Sequence, residues 1–260
     1  MLHVNATTAM FPGTSVRDAL ARIAAGAREP LLGDIATNHV QLCPQNVGYL
    51  SERECESLAA AYPKMHLRLH ANARVLPSHR MLDASTLSDE TRPYFDALAD
   101  RSRRLGAKAY SLHAGHQAHS SLTKMLDAAR RLQEHFGDIV VAVEGLYPNR
   151  RHPQLMDCWA DYETVWRAGV PMAIDLSHLK IVADAERSCD HGLVRDLLSA
   201  ATTVEVHLSD NDGRSDQHQV LSETPWWWSC TDAIHENAVV FTEGNQLRAH
   251  EAHQTLLAAR

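Results

Sequence analysis

The side chains in this sequence best suited to chemistry are ionisable residues that follow short apolar runs. Histidine accounts for 17 of the 260 residues, and imidazole is both the commonest metal ligand and the usual acid–base group near neutral pH. Six successive apolar runs each end on a histidine, an aspartate or a glutamate: His70, His113, Glu144, Asp175, His207 and Glu243. One such residue would be interpreted as a loop residue or a helix cap. Six that converge would repel each other or stay unsatisfied without a cation, so the series predicts metal binding.

Two short motifs add further candidate ligands. Asp175-Leu176-Ser177-His178 lets a carboxylate and an imidazole face one region. Asp216-Gln217-His218 does the same, because side chains two apart in an extended segment point the same way. The full set contains five imidazoles and four carboxylates: His70, His113, Glu144, Asp175, His178, His207, Asp216, His218 and Glu243. These donors suit zinc, manganese or iron. Nine exceed the four of a tetrahedral zinc, so we expect two or three divalent metal ions (Fe, Mn or Zn).

The elements that must position these residues alternate along the chain. Apolar runs typical of strands lie at Leu2–Thr7, His39–Cys43, Met65–Leu69, Ala109–Leu112, Ile139–Val143, Met172–Ile174, Val204–Val206 and Val239–Thr242. Amphipathic segments typical of helices lie at Val16–Ala25, Glu52–Ala61, Tyr94–Leu105, Leu122–Phe136, Trp159–Ala168, Leu193–Ala200, Trp228–Asn237 and Gln246–Leu257. This alternation predicts an α/β fold, a (β/α)8 TIM barrel, as a single domain over residues 1–260. A doubly wound sheet would alternate in the same way, but no GxGxxG turn follows the first run.

Composition narrows the class of protein. The chain is 45% hydrophobic and carries a formal net charge of −7, which excludes a disordered protein. No run approaches the roughly 18 apolar residues of a membrane span, and the first residues do not resemble a secretory signal. The five cysteines are scattered, which fits a reducing compartment. We therefore expect a cytoplasmic protein that acts on a small molecule, does not bind membranes and is a poor candidate for nucleic acids. The sequence does not determine the oligomeric state.

The motifs together resemble a known superfamily. The segment HLSDNDG at 207–213, followed by DQH at 216–218, is the most specific stretch, and SLHAG at 111–115, VEG at 143–145 and IDLSH at 174–178 add to it. They resemble the xylose isomerase-like TIM-barrel superfamily, which includes sugar (phosphate) isomerases and epimerases and apurinic endonucleases of the endonuclease IV type. The resemblance extends from about His39 to Glu243. It implies that all nine candidates match the trinuclear metal pattern of the endonuclease branch. Glu144, Asp175, His207 and Glu243 match the single-metal set of the sugar epimerases.

The sequence also departs from these relatives. EGLYPN at 144–149 replaces the ENTAGQG-like stretch of the endonuclease branch. QVLSETPWWW at 219–228 stands where both branches carry a glycine-rich turn that contacts phosphate or DNA. A DxH motif followed by a tryptophan-containing segment is similar to the multinuclear non-haem iron enzymes that oxidise peptides. In that third branch a D-N-N would replace the DLSH of this chain.

Three functions follow from the ligands and the resemblance. The first is a metal-dependent isomerase or epimerase of a small polar, polyol-like substrate, with Glu144 and Glu243 as acid–base groups as well as ligands. The second is a multinuclear non-haem iron oxygenase or oxidase that acts on an amino acid, a peptide or a natural-product intermediate. The third is an endonuclease IV-like phosphodiesterase.

Four residues outside the ligand set are further candidates. His116 follows His113 on the same predicted loop and could carry protons during catalysis. Trp226 opens a run of three tryptophans, at least one of which we expect to pack in the core, and could line the substrate site. Arg150 and Lys180 lie on segments that follow strands and could contact an anionic substrate.

Overall fold

A computed structural model of the chain describes residues 2–250. Nine strands lie in this part of the chain: β1 (Val4–Thr7), β2 (Ala27–Glu29), β3 (Gly33–Leu42), β4 (His66–Leu69), β5 (Ala109–His113), β6 (Val140–Glu144), β7 (Met172–Asp175), β8 (Thr203–Leu208) and β9 (Val239–Thr242). The α-helices are α1 (Val16–Ala24), α2 (Glu52–Ala61), α3 (Arg92–Arg104), α4 (Leu122–Phe136), α5 (Trp159–Arg167), α6 (Leu176–Glu186) and α7 (His191–Ser199). Short 3-10 helices cover Thr8–Met10, Ala84–Thr86 and Trp226–Ala233.

The strands form one twisted sheet with the connectivity of a barrel. Hydrogen-bonded neighbours follow the order β2-β3-β1-β9-β8-β7-β6-β5, with β4 on β3, and every pair except β2 with β3 is parallel. The two strands at the ends of this series, β4 and β5, lie side by side. Side chains join them, since Nδ1 of His70 lies 3.0 Å from Oγ of Ser111. The carboxyl ends of the parallel strands therefore meet at one mouth, as the TIM-barrel prediction requires.

A polar layer lies inside the barrel below this mouth. Alternate residues of a strand face the same side of a sheet, so the residues two positions before the strand-terminal groups also point inward. Several of them are polar and buried: Gln41, Arg68, Ser111 and Glu205. The Glu205 carboxylate accepts hydrogen bonds from Arg68 (2.8 Å) and Gln41 (2.9 Å). This layer supports the strand ends from below with ionic and hydrogen-bonded contacts.

Helix starts follow the expected capping chemistry. The side chains of Ser15, Ser51 and Ser121 accept hydrogen bonds from the first turns of α1, α2 and α4, which satisfies backbone donors that lack partners within the helix. Asp175 caps α6 in the same way, through Oδ1 to the backbone N–H groups of Ser177 and His178. The cap starts α6 directly at the strand end and places His178 in its first turn.

The structure corrects several boundaries. Helix α6 was not predicted, because it is buried on most of its surface and shows no amphipathic stripe. Strand β2, which pairs with the start of β3 in a hairpin, was also not predicted. The helix expected at Trp228–Asn237 is a 3-10 helix that starts after Pro225. Residues 246–250 are helical, and the rest of the expected last helix, to Leu257, lies outside the described residues.

None of the helices in the described part of the chain is both long enough and apolar enough to cross a membrane.

Candidate metal centre

All nine predicted ligands lie in one network at the mouth of the barrel. Strands β4 to β9 each place a residue there that lies at the carboxyl end of the strand or one position from it, while α6 supplies His178 and the loop after β8 supplies Asp216 and His218. A cavity of about 120 Å³ opens onto the network, and its wall includes seven of the nine predicted ligands together with Tyr147. The geometry thus brings together what the sequence could only place in series.

Glu144 is the hub of one half of the network. Its Oε2 lies 3.5 Å from Nε2 of His70 and 3.9 Å from Nε2 of His113. Its Oε1 lies 3.5 Å from Nδ1 of His207 and 3.8 Å from Nδ1 of His178. Four imidazoles around one buried carboxylate form a site suited to a cation, with the carboxylate able to bridge ions.

The other half of the network is an arc of alternating carboxylates and imidazoles. Nε2 of His178 lies 3.4 Å from Asp175 and 3.5 Å from Asp216. His218 lies 3.0 Å from the same oxygen of Asp216 and 3.3 Å from Glu243. His218 has a φ of 47°, a conformation that non-glycine residues seldom adopt and that is common at functional sites. The strained turn directs its ring between the two carboxylates.

Several polar atoms in this network are buried without a hydrogen-bond partner. They are Oε2 of Glu144, Oδ2 of Asp175, Oδ1 of Asp216, Oε1 of Glu243, Nδ1 of His218 and both ring nitrogens of His207. An unpaired buried polar atom is costly, and so many in one place favour a shared cationic partner. Three overlapping groups of donor atoms each lie within 4.8 Å: His70, Glu144 and His207; Glu144, Asp175 and His178; Asp175, His207 and Glu243. This donor chemistry fits divalent metal ions held by shared ligands.

The charges of the network stabilise one another. Burial alone would raise the pKa of the Glu144 carboxyl, but the imidazoles of His70 and His207 outweigh burial and hold it far below its usual range. Burial likewise opposes the charged form of His178 and His218. The neighbouring carboxylates outweigh it and raise the pKa of His178 to about 10 and that of His218 to about 11. Burial dominates at His113 and lowers its pKa to about 4.

Sequence reasoning missed the residues that support the ligands from below. Nε2 of His207 lies 3.4 Å from Glu205, and Nδ1 of His178 lies 2.9 Å from the carbonyl oxygen of Gly145. With Ser111 at Nδ1 of His70, two predicted ligand imidazoles, those of His70 and His178, each have one nitrogen in a hydrogen bond and the other directed at the network, an arrangement that tunes metal ligands. The signal was present, because Glu205 precedes His207 by two residues on one strand.

Two further predicted site residues lie outside the cavity wall. Trp226 packs against Trp159 and His191, with ring centroids 6.5 Å and 5.1 Å away. The helix that begins after Pro225 packs on α7 and carries Trp226 with it. Trp227 is fully buried, as expected for one of the three tryptophans. His116 lines a separate surface depression together with His119 and Arg151.

The two predicted basic contacts differ in their surroundings. Lys180 donates hydrogen bonds to Oδ1 of Asp210 (2.7 Å) and to the carbonyl oxygen of Asn211 (2.6 Å). It thereby ties α6 to the loop that carries Asp216 and His218, and its ammonium group is engaged within the protein. Arg150 is exposed and lines a cleft next to the ligand cavity.

Comparisons with solved structures match this architecture across almost the whole chain. No protein-family model and no curated protein matches the sequence. A D-tagatose 3-epimerase-like protein has a TM-score of 0.67 at 14% identity and covers 99% of this chain and 98% of its own. A 3-keto-D-glucoside 4-epimerase from E. coli has a TM-score of 0.64 at 14% identity and covers both chains completely. An AP endonuclease, family 2, from Brucella melitensis has a TM-score of 0.59 at 17% identity, over 94% and 93% of the two chains.

The chain has the xylose isomerase-like TIM-barrel fold. The fold expected from the motifs is therefore confirmed. In this xylose isomerase-like barrel, Gly115 lies in the segment after β5, where its φ is 103° and an added Cβ would collide with the side chains of Asp83 and Ser85. The glycine of the SLHAG motif thus has a steric role close to the predicted ligand His113.

Proposed function

We propose that the protein is a metal-dependent isomerase or epimerase of a small polar, polyol-like substrate with a carbonyl group. The observation that carries the proposal is the set of buried, unpaired donor atoms at the mouth of a barrel whose fold is shared with sugar epimerases. The ligands we propose are the nine residues of the network. We propose two or three ions because the three donor groups share Glu144, Asp175 and His207.

The chemistry needed is the movement of a proton beside a carbonyl. When bound, a divalent metal polarises the carbonyl and an adjacent hydroxyl and makes the neighbouring C–H more acidic. Glu144 and Glu243 are our candidates for the groups that remove and return the proton. Each is buried and has one carboxylate oxygen without a hydrogen-bond partner, and the two belong to separate donor groups that share His207.

Protein groups also hold the acid–base residues in their ionised form. The imidazoles around Glu144 keep its pKa low, and His218 outweighs burial to lower the pKa of Glu243 to about 2. Both carboxylates are therefore ionised at neutral pH. Tyr147, whose ring centroid lies 4.9 Å from that of His178, forms part of the cavity wall next to these residues.

The oxidative alternative depends on a dry, tryptophan-lined pocket. Trp226 instead packs against Trp159 and His191, so the feature that suggested this function is not beside the ligands. The full set of nine ligands keeps metal-dependent phosphodiester hydrolysis as the second candidate, because an AP endonuclease shares the fold. The cavity formed by His70, Glu144, Tyr147 and their neighbours has a volume of only about 120 Å³. This small volume favours a small substrate over a DNA duplex.

The experiment that tests the proposal is hydrogen exchange in deuterium oxide. Protein loaded with zinc, manganese or iron is incubated separately with D-fructose, D-tagatose and D-psicose, and proton NMR follows the hydrogens next to the carbonyl. We expect one of these ketoses to lose that signal at a rate proportional to enzyme concentration. Absence of exchange with all three, in protein shown to contain metal, would refute the ketose epimerase proposal.

Substitutions at the two carboxylates test which of them transfers the proton. Glu243→Gln and Glu144→Gln should each slow exchange by about 10² or more, as expected for loss of a general acid or base. Asp127→Asn is the matched control, because Asp127 is an exposed carboxylate on α4 that pairs with Arg130. Metal content is measured for each variant, so that loss of a proton-transfer group is separated from loss of metal.

A further inference from the structure

A second cleft adjoins the ligand cavity. Tyr147 belongs to the walls of both. The second cleft has a volume of about 740 Å³ and lies between the segment after β6, helix α6 and the loop after β8. Ligand sites for small molecules generally occupy roughly 300–1,000 Å³, so the inner cavity of about 120 Å³ is too small to be the whole site. The cleft supplies the missing volume.

Two arginines from different loops line this cleft. Arg150 lies on the segment after β6 and Arg214 on the loop after β8. Neither guanidinium forms an ion pair with a carboxylate among the described residues. Arginine presents a planar set of donors that matches the oxygens of phosphate or carboxylate groups. Two unpaired guanidinium groups on one cleft favour an anionic ligand.

The loop that carries Arg214 is held in a fixed shape. Oδ1 of Asp212 accepts hydrogen bonds from the backbone N–H groups of Arg214 (2.9 Å) and Ser215 (3.0 Å). The base of the loop is closed by reciprocal backbone hydrogen bonds between Asp210 and Gln219, both 2.8 Å. The same loop carries the ligands Asp216 and His218, so Arg214 is fixed relative to the metal-ligand network.

The cleft also contains one acidic residue, Asp184, which packs against its wall. Asp184 is the carboxylate among the described residues that line the cleft, and it packs so closely on Gly213 that a Cβ there would overlap its Oδ2. The lining therefore carries two positive charges and one negative charge. The whole chain carries a net charge of −7, so this local excess of positive charge runs against the overall balance.

We propose that Arg150 and Arg214 bind an anionic group, a phosphate or a carboxylate, carried by the polyol substrate at a distance from its reacting carbons. This inference rests on the proposed function, since it places the reacting carbons in the inner cavity. The anionic group occupies the cleft, and Tyr147 lies between the two regions. We therefore expect a charged polyol to bind more tightly than the neutral sugar of the same carbon skeleton.

The test compares three compounds that differ only at carbon 6: D-fructose, D-fructose 6-phosphate and D-fructuronate. Calorimetry measures their binding to the metal-loaded protein and to Arg150→Gln, Arg214→Gln and the double variant. We expect at least one anionic compound to bind about tenfold or more tighter than fructose. Each single variant should lose about tenfold in affinity for it, and the double variant should remove the advantage. The anionic compound that shows the effect identifies phosphate or carboxylate.

The matched control is Arg151→Gln, which removes a neighbouring exposed arginine that lines a different depression with His116 and His119. An advantage of the anionic compounds that survives in the double variant would place the anion on the metal ions and overturn the proposal. Equal binding of all three compounds, or an equal loss in Arg151→Gln, would also overturn it.

The two proposals fail in different ways. Arginine-dependent binding without hydrogen exchange would leave the anion site standing and refute the epimerase. Exchange of a neutral ketose that is unaffected by the arginine variants would leave the epimerase standing and refute the anion site.

Discussion

Nε2 of His207 lies 3.4 Å from Oε2 of Glu205, two residues earlier on strand β8. Nδ1 of the same ring faces Glu144 at 3.5 Å. Burial would raise the pKa of the Glu205 carboxyl, but His207 and Arg68 outweigh burial and lower it to about 2. The ionised carboxylate therefore faces Nε2, and Nδ1 is the nitrogen that faces the metal-ligand network.

Glu205 is thus expected to position a metal ligand. Replacing it by glutamine should weaken metal binding by about 10- to 100-fold, as found when such supporting partners are removed. The double variant Arg68→Met, Glu205→Gln avoids an unpaired buried charge and separates positioning from stability. Metal affinity is measured by competition with a chelator. Wild-type affinity in the double variant would show that Glu205 has only a structural role.

The ion pair between Arg68 and Glu205 is also expected to contribute strongly to the free energy of unfolding. Both side chains are buried, with Nη1 and Oε1 2.8 Å apart, and removal of one partner from a buried pair costs about 3–5 kcal/mol. Urea unfolding of Arg68→Met should show a loss of that size. Arg17→Met breaks the exposed pair with Glu54 and should cost about 1 kcal/mol or less. Similar losses in the two variants would contradict this view of the polar layer.

Metal binding should release protons. The neighbouring carboxylates raise the pKa of His178 to about 10 and of His218 to about 11, so both imidazoles are protonated at pH 7 in the metal-free protein. A coordinating nitrogen must lose its proton, so affinity should increase as pH rises from 6 to 9. Calorimetry in buffers of different ionisation enthalpy counts the released protons. Affinity that does not change with pH, together with no proton release, would contradict the assignment of these ligands.

Lys180 is expected to act through the loop that it anchors. Lys180→Met removes the hydrogen bonds to Asp210 and Asn211 and should lower metal affinity several-fold, because Asp216 and His218 lie on that loop. Lys124→Met, an exposed position on α4, is the control. If Lys180 instead contacted substrate, KM would rise while metal affinity stayed at the wild-type value.

The strand ends were predictable because barrel topology converts position along the chain into position in space. His70, Glu144 and Asp175 each follow a recognisable apolar run, and parallel strands bring their ends to one mouth. Helix α6 was not predictable from periodicity, since it is buried on several sides. The capping oxygen of Asp175 was the available signal for its start.

The surroundings of exposed loops were harder to predict. Nothing in the order of residues shows that Lys180 meets Asp210, or that Pro225 directs Trp226 onto α7 and away from the mouth. Such contacts depend on how loops of the barrel fold back on each other. The inward position of Glu205 was predictable, because strand alternation places it on the same face as His207.

The central claim is that nine side chains at the mouth of the barrel hold two or three divalent ions. Its most direct test is the metal content per chain of protein purified under anaerobic conditions, measured by elemental analysis for the wild type and for Glu144→Gln, with Asp127→Asn as the control. The account predicts two or three ions of iron, manganese or zinc in the wild type and in the control, and a clear loss in Glu144→Gln. Less than one ion per chain for all metals together, or content unchanged in Glu144→Gln, would contradict it.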